Sequence, residues 1–139
     1  MSATAAIFWP MVAHAALVFG LYGLLGLRRA AMVRQGKARI EQFRENRDEP
    51  AESLVVRNNL ANQFELPVLF HVCCLALYFV EADNLPMVAL AWIFVVSRYA
   101  HSFVHVTGNR LSRRQPAFLV GFVTLGLMWA WFAVWLAMS

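Results

Sequence analysis

The sequence predicts an all-α integral membrane protein, a bundle of four transmembrane helices, and three observations carry the prediction. Of its 139 residues 60% are hydrophobic and only 14% charged, with a mean hydropathy of +0.55, far from the balance of a soluble domain. The apolar residues fall into four runs, each near the length of about 20 residues that a helix needs to cross a bilayer. The basic residues collect between alternate runs, as charges do in loops on one side of a membrane. Residues 1–139 thus form one membrane domain, with no room for a second.

The first span, residues 3–27, is free of formal charge and opens with Trp9 and Pro10, an interfacial aromatic beside a proline that a helix start tolerates. A cleaved signal peptide would carry its basic residues ahead of the apolar run, and here they follow it. Residues 28–53 form a charged, partly helical segment ending at Asp48-Glu49-Pro50. The second span, 54–80, reads as one helix closed by the acidic turn Glu81-Ala82-Asp83-Asn84, with Pro86 beyond it. The third covers 85–107, and a short loop, 108–116, carries Arg110, Arg113 and Arg114. The last span, 117–138, bears Trp129, Trp131 and Trp135, which mark an outer interface.

Charge sets the expected orientation. Of the 12 Lys and Arg residues, seven lie between Arg28 and Arg47 and three in the 108–116 loop, which leaves only Arg57 and Arg98 inside spans. Both basic segments are therefore expected in the cytoplasm and both termini outside, in the inner membrane if the source is bacterial. A net charge of +4 and a pI near 9.7 follow from this topology and from anionic headgroups, so no nucleic-acid partner is expected. The adjacent Cys73 and Cys74 diverge by about 100° around a helix; neither a disulfide nor a metal site is expected, and the two read as small packed or lipid-facing residues.

The functional clue is polarity within the spans. Ionisable groups at bilayer depth persist where they pair, bind something or relay protons. Asn58, Asn62 and Glu65 share one helical face by their spacing, as do Arg98, His101 and His105. Because the second and third spans are antiparallel, Glu65 and Arg98 are expected at similar depth and to form an ion pair. His14 reads as isolated and His71 as lying off the polar face, so both are expected to be packing residues. Proton relay or transport is a competing reading of the cluster, opposed by the lack of glycine-rich broken helices.

These residues, in this order, resemble the membrane-associated proteins in eicosanoid and glutathione metabolism, the MAPEG family. Asn62-Gln63-Phe64-Glu65-Leu66-Pro67 looks like the family's Asn-x-x-Glu followed by a hydrophobic residue and proline, and Arg98-Tyr99-Ala100-His101 like its Arg-x-x-His. Arg114 falls where the family places the arginine credited with activating the glutathione thiol, and Phe118-Leu119-Val120-Gly121-Phe122 continues the similarity. The resemblance implies a homotrimer in the lipid bilayer, binding glutathione as co-substrate between neighbouring subunits near the cytoplasmic surface. It further implies a transferase or peroxidase acting on a small lipophilic electrophile or hydroperoxide. Glutathione has two carboxylates, an ammonium and a thiol, which call for arginines, an acid and a cation beside the sulfur. Arg57 or Arg98, Glu65 and Arg114 match these roles, with Asn62, His101 and His105 as further contacts and Arg113 as the rival of Arg114. The chain departs from the family's Arg-x-x-x-Asn-x-x-Glu by placing Asn58 at the arginine position and Arg57 one residue early; Ala61 and His105 replace a second arginine and a tyrosine. The alternative reading is a non-catalytic member that binds lipid or another anionic amphiphile, or that assembles into a larger membrane complex.

Overall fold

The computed structural model describes residues 5–139, so Ala3 and Thr4 of the first expected span lie outside the described residues. The described residues form six helices: α1 (Phe8–Arg34), α2 (Ile40–Glu45), α3 (Ala51–Asn62), α4 (Leu66–Phe79), α5 (Leu85–Thr107) and α6 (Leu111–Met138). Four crossings are long and apolar enough to traverse a membrane: α1, α3 with α4, α5 and α6.

The second crossing corrects the reading of one continuous helix. It is interrupted at Gln63-Phe64-Glu65, where Glu65 caps α4 with φ −97° and ψ −109°, outside the helical region. Pro67 in the first turn of α4 is the cause. It has no N–H to give the Gln63 carbonyl, and its ring crowds that carbonyl and the residue before it. The end of α3 tightens in response, Gln63 N donating to Leu60 O at 3.0 Å and Phe64 N to Ala61 O at 3.0 Å.

α1 packs on α3 and α5, and the most extensive contact joins α5 to α6. The larger core cluster contains Phe70 of α4 stacked on Phe94 of α5, their centroids 4.4 Å apart, with Leu77, Ala91, Leu125 and Met128 around them. Cys73 and Cys74 are free thiols, both fully buried there. The α5–α6 contact is close because residue 121 is glycine: a Cβ at that position would stand 2.7 Å from Ser97 Oγ, a hydroxyl already committed to Phe94 O at 2.6 Å.

At the basic end, α2 is folded back against α1. Arg29 lies over the Phe43 ring at 5.0 Å, and its guanidinium forks onto both oxygens of Glu49 at 2.8 and 3.0 Å. Arg57 Nη1 reaches the same carboxylate at 3.2 Å. One buried acid thus ties α1 to the start of the second crossing. Burial opposes ionisation of Glu49, yet the hydrogen bonds from Arg29 and the charges of Arg29 and Arg57 outweigh it and hold the carboxyl below its ordinary value of 4.5.

Gly121→Ala is expected to cost about 1–3 kcal/mol by overpacking, read as a lower melting temperature in detergent, and Ser97→Ala in the same chain should restore most of it. Stability from Glu49 is complete above about pH 4.5 and is lost as pH falls through its depressed folded value. Glu49→Gln should therefore lower stability at neutral pH by about 1–3 kcal/mol, and the difference from the unmodified chain should shrink in acid melts.

Candidate functional site

In hydrocarbon polar groups must be satisfied inside the protein, and at the centre of this bundle amides supply most of the partners. Asn59 of α3 and Gln63, one turn on, are buried at 0% and 2% exposure. Gln63 Nε2 donates to the Asn59 carbonyl and Asn59 Oδ1, both at 3.1 Å, and to Ser102 Oγ at 3.2 Å. Ser102 Oγ donates onward to Asn59 Oδ1 at 3.2 Å, which fastens α3 to α5. Gln63 Oε1 accepts from Arg98 Nε at 3.4 Å and faces His14 Nε2 at 3.1 Å, so the break in the second crossing also holds α1. The other ring nitrogen of His14 lies 3.0 Å from His71 Nε2.

Two expectations fall here. The Glu65–Arg98 ion pair does not form. Arg98 is almost fully buried, its Nε on Gln63 and its Nη2 donating to Asn62 Oδ1 at 3.3 Å, whereas Glu65, beyond the helix break, is exposed and belongs to no ion pair among the described residues. The helix stops short of Glu65, and the hydrogen-bond partners of Arg98 are the two amides that precede it instead. Nor are His14 and His71 mere packing residues, since both belong to the hydrogen-bonded interior.

On one side of this amide layer a polar cleft of about 520 Å³ opens toward the basic end. The second crossing lines it with Asn58, Asn62 and Glu65, α5 with His101 and His105, and the start of α6 with Arg114, Gln115 and Phe118. His101 and His105 meet edge to face with centroids 5.7 Å apart, and His101 rests against Phe118. Asn109, in the left-handed conformation at φ 47° after α5, accepts from Arg114 Nη1 at 2.6 Å and so aims that guanidinium. Arg98 stands behind the cleft, reaching its wall through Asn62. Arg57 and Arg113 are not among the lining residues; Arg57 is held by Glu49 and Asn46, and Arg113 is exposed.

Both ring nitrogens of His101, Nδ1 of His105 and Nη1 of Arg98 are buried without a hydrogen-bond partner. An orphaned buried group costs about 1–3 kcal/mol, and three side chains of α5 bearing such atoms stand in or behind one cleft. That concentration suits a polar ligand. The cleft offers a cation, a carboxylate, amides that both donate and accept, and imidazoles, a set matched to a zwitterion carrying carboxylates.

The set Asn59, Gln63, Ser102, Asn109 and Gln115 was not singled out from the sequence. A signal for the hub exists: Asn59 and Gln63 are four residues apart inside a span, and so are Arg98 and Ser102, which is the spacing of a polar stripe on one face.

The architecture defines a class: a four-crossing helical membrane protein with a polar cleft at one end of the bundle. The family model of the MAPEG family matches residues 6–134, and the chain belongs to that family, making it a membrane protein of the glutathione and eicosanoid metabolism family. Searches of curated proteins and of solved structures return no match.

Gln63→Leu strips acceptors or donors from Arg98, His14, Asn59 and Ser102 together and is expected to lower stability in detergent by about 2–3 kcal/mol. Glu65→Gln, which breaks no ion pair, should stay within about 0.5 kcal/mol of the unmodified chain. Equal losses in the two variants would contradict the hydrogen-bond assignments given above.

Proposed function

We propose that the cleft binds glutathione and that the protein is a glutathione-dependent transferase or peroxidase of the membrane. The observation that carries this reading is the cleft itself: Arg114, Glu65, three asparagines and two buried imidazoles converge at the basic end of a chain of this family. In this reading Glu65 meets the ammonium, while Asn58, Asn62 and Gln115 hold carboxylates and peptide groups. His101 and His105 gain the partners that their nitrogens lack. The sulfur lies beside Arg114, whose guanidinium favours the thiolate over the thiol. The thiolate then attacks a lipophilic electrophile arriving from the bilayer, forming a thioether and expelling the leaving group. With a hydroperoxide, two glutathiones become the disulfide while the O–O bond is reduced to an alcohol and water.

The cleft is open on the outside of a single chain, and Asn58 and Glu65 are exposed there. Polar groups at that depth call for protein cover, which a homotrimer supplies by packing a neighbouring copy against each cleft. A neighbour also has the chance to contribute a cation beside the second carboxylate, since Arg57 and Arg113 of the same chain stand outside. The basic end faces the cytoplasm and both termini lie outside, by the distribution of Lys and Arg.

One observation favours a second reading. A single arginine lines the cleft, Arg57 being bound to Glu49, and a pocket with one cation also suits a mono-anionic amphiphile bound without turnover, in a protein that serves a larger membrane complex.

Mixing glutathione with the detergent-solubilised protein should raise the ultraviolet absorbance of the thiolate, and chlorodinitrobenzene should be conjugated. Arg114→Ala should diminish both by about tenfold or more, as loss of a charge-assisted contact implies, while Arg113→Ala changes them less. An unaltered thiolate signal in Arg114→Ala removes that residue from the mechanism, and no signal in the unmodified protein favours the second reading.

A further inference from the structure

The hydrogen bonds of the amide layer have a direction, and it leads away from the cleft to a second opening. A guanidinium only donates, so Gln63 Oε1, 3.4 Å from Arg98 Nε, is an acceptor. His14 Nε2, 3.1 Å from the same oxygen, must then carry a hydrogen. In a neutral imidazole the other nitrogen is the acceptor, so His14 Nδ1 accepts from His71 Nε2 at 3.0 Å. The tautomer of His71 follows in turn: its hydrogen is on Nε2, and Nδ1 holds a lone pair that makes no hydrogen bond among the described residues.

His14 and His71 stand at the wall of a groove of about 260 Å³ between α1 and α4, whose other sides are Ala15, Val18, Phe19 and Val68 with Phe64 and Gln63 at the break. No charged residue among the described ones lines it. It lies within crossings long and apolar enough to sit in the bilayer, on a wall other than that of the polar cleft, with which it shares no lining residue.

We propose that this groove is a second binding site, for a neutral lipophile with a hydroxyl head such as a phenol, an alcohol or a hydroperoxide, whose O–H donates to His71 Nδ1. The occupant is argued from complementarity. The groove is lined by apolar side chains apart from Gln63 and the two imidazoles, water is scarce at this depth, and an acceptor there gains from a donor that the bilayer itself does not supply. A carboxylate is the wrong partner, because it has no hydrogen to give and the tautomer order set by Arg98 leaves His71 none to offer on Nδ1. A volume of this size admits one ring or a short branched head, its tail remaining among the acyl chains. The inference goes beyond the glutathione reading and does not depend on it, since no residue of the groove is asked to touch the thiol.

The test uses the intact protein in detergent, para-octylphenol as probe and para-octylanisole, its methyl ether, as the control that cannot donate. With isotope-labelled histidine, the nitrogen resonances of His71 should move saturably with the phenol. The ether should bind at least about threefold more weakly, the span expected for one hydrogen bond, and leave the Nδ1 resonance in place. Ala15→Trp, which fills the groove without touching the hydrogen-bonded chain, should abolish the phenol's effect, and in His71→Leu, read on the His14 resonances, the phenol should bind no more tightly than the ether. Equal binding of phenol and ether, or a phenol that leaves His71 unmoved, would overturn the proposal in favour of apolar partition. Quantitative disulfide formation between copies of Phe19→Cys in native membranes, with no probe added, would overturn it in favour of a second copy covering the groove. Because Arg114 takes no part, Arg114→Ala should bind the phenol normally whether or not glutathione is a substrate.

Discussion

The side-chain amide of Gln63 is the group on which the interior depends. It sits where Pro67 stops the second crossing from continuing as one helix, and its oxygen and nitrogen together engage Arg98, His14, Asn59 and Ser102. Three of the four crossings are therefore joined at one residue. In water such bonds would contribute little beyond those they replace; in hydrocarbon the alternative is an unsatisfied group. Sliding any of these helices by one residue would break several bonds at once, which makes the layer a determinant of register as well as of stability.

The same layer decides how the charges are distributed. Arg98 is buried with amide oxygens rather than a carboxylate for company, and Glu49 takes both Arg29 and Arg57 at the basic end. Among the described residues Glu65 and Arg114 belong to no ion pair, and both line the cleft. A buried ion pair at the centre of the bundle would have to offset the desolvation of both charges, and Glu65 is the one acid among the described residues that line the cleft. Holding the arginine with neutral dipoles keeps the carboxylate free.

Packing elsewhere serves the same end. The close α5–α6 approach at Gly121 brings the start of α6 beside the last turns of α5, so that Arg114 and Phe118 face His105 and His101 across the cleft. Asn109, between them, completes the turn with a left-handed backbone that asparagine tolerates better than most residues. The two openings on either side of the amide layer differ in kind: one is polar and carries charge, the other apolar with imidazole at its wall.

Much of this was legible in the chain. Hydropathy and the spacing of basic residues require four apolar crossings, because length and water-avoidance are properties of runs of residues and do not depend on their neighbours in space. The motifs around Asn62, Arg98 and Arg114 carried the family, and the four-residue spacings of Asn58 with Asn62 and of His101 with His105 are enough to put each pair on one helical face. Pairing was a different matter. Periodicity says that a residue is polar and which way it points along an ideal helix, but a proline two residues after Glu65 cancels the ideal helix, and the partner of Arg98 changes from an acid to two amides. His14, seemingly alone in the first span, lies 49 residues from Gln63 and 57 from His71; nothing local to any of them announces the contact. What the sequence by itself determined is therefore the class, the crossings and the inventory of polar groups. Which donor meets which acceptor, and hence which groups remain free for a ligand, was decided only by the tertiary structure, since a hydrogen bond needs its two atoms within about 3 Å and only the packed bundle sets distances between helices.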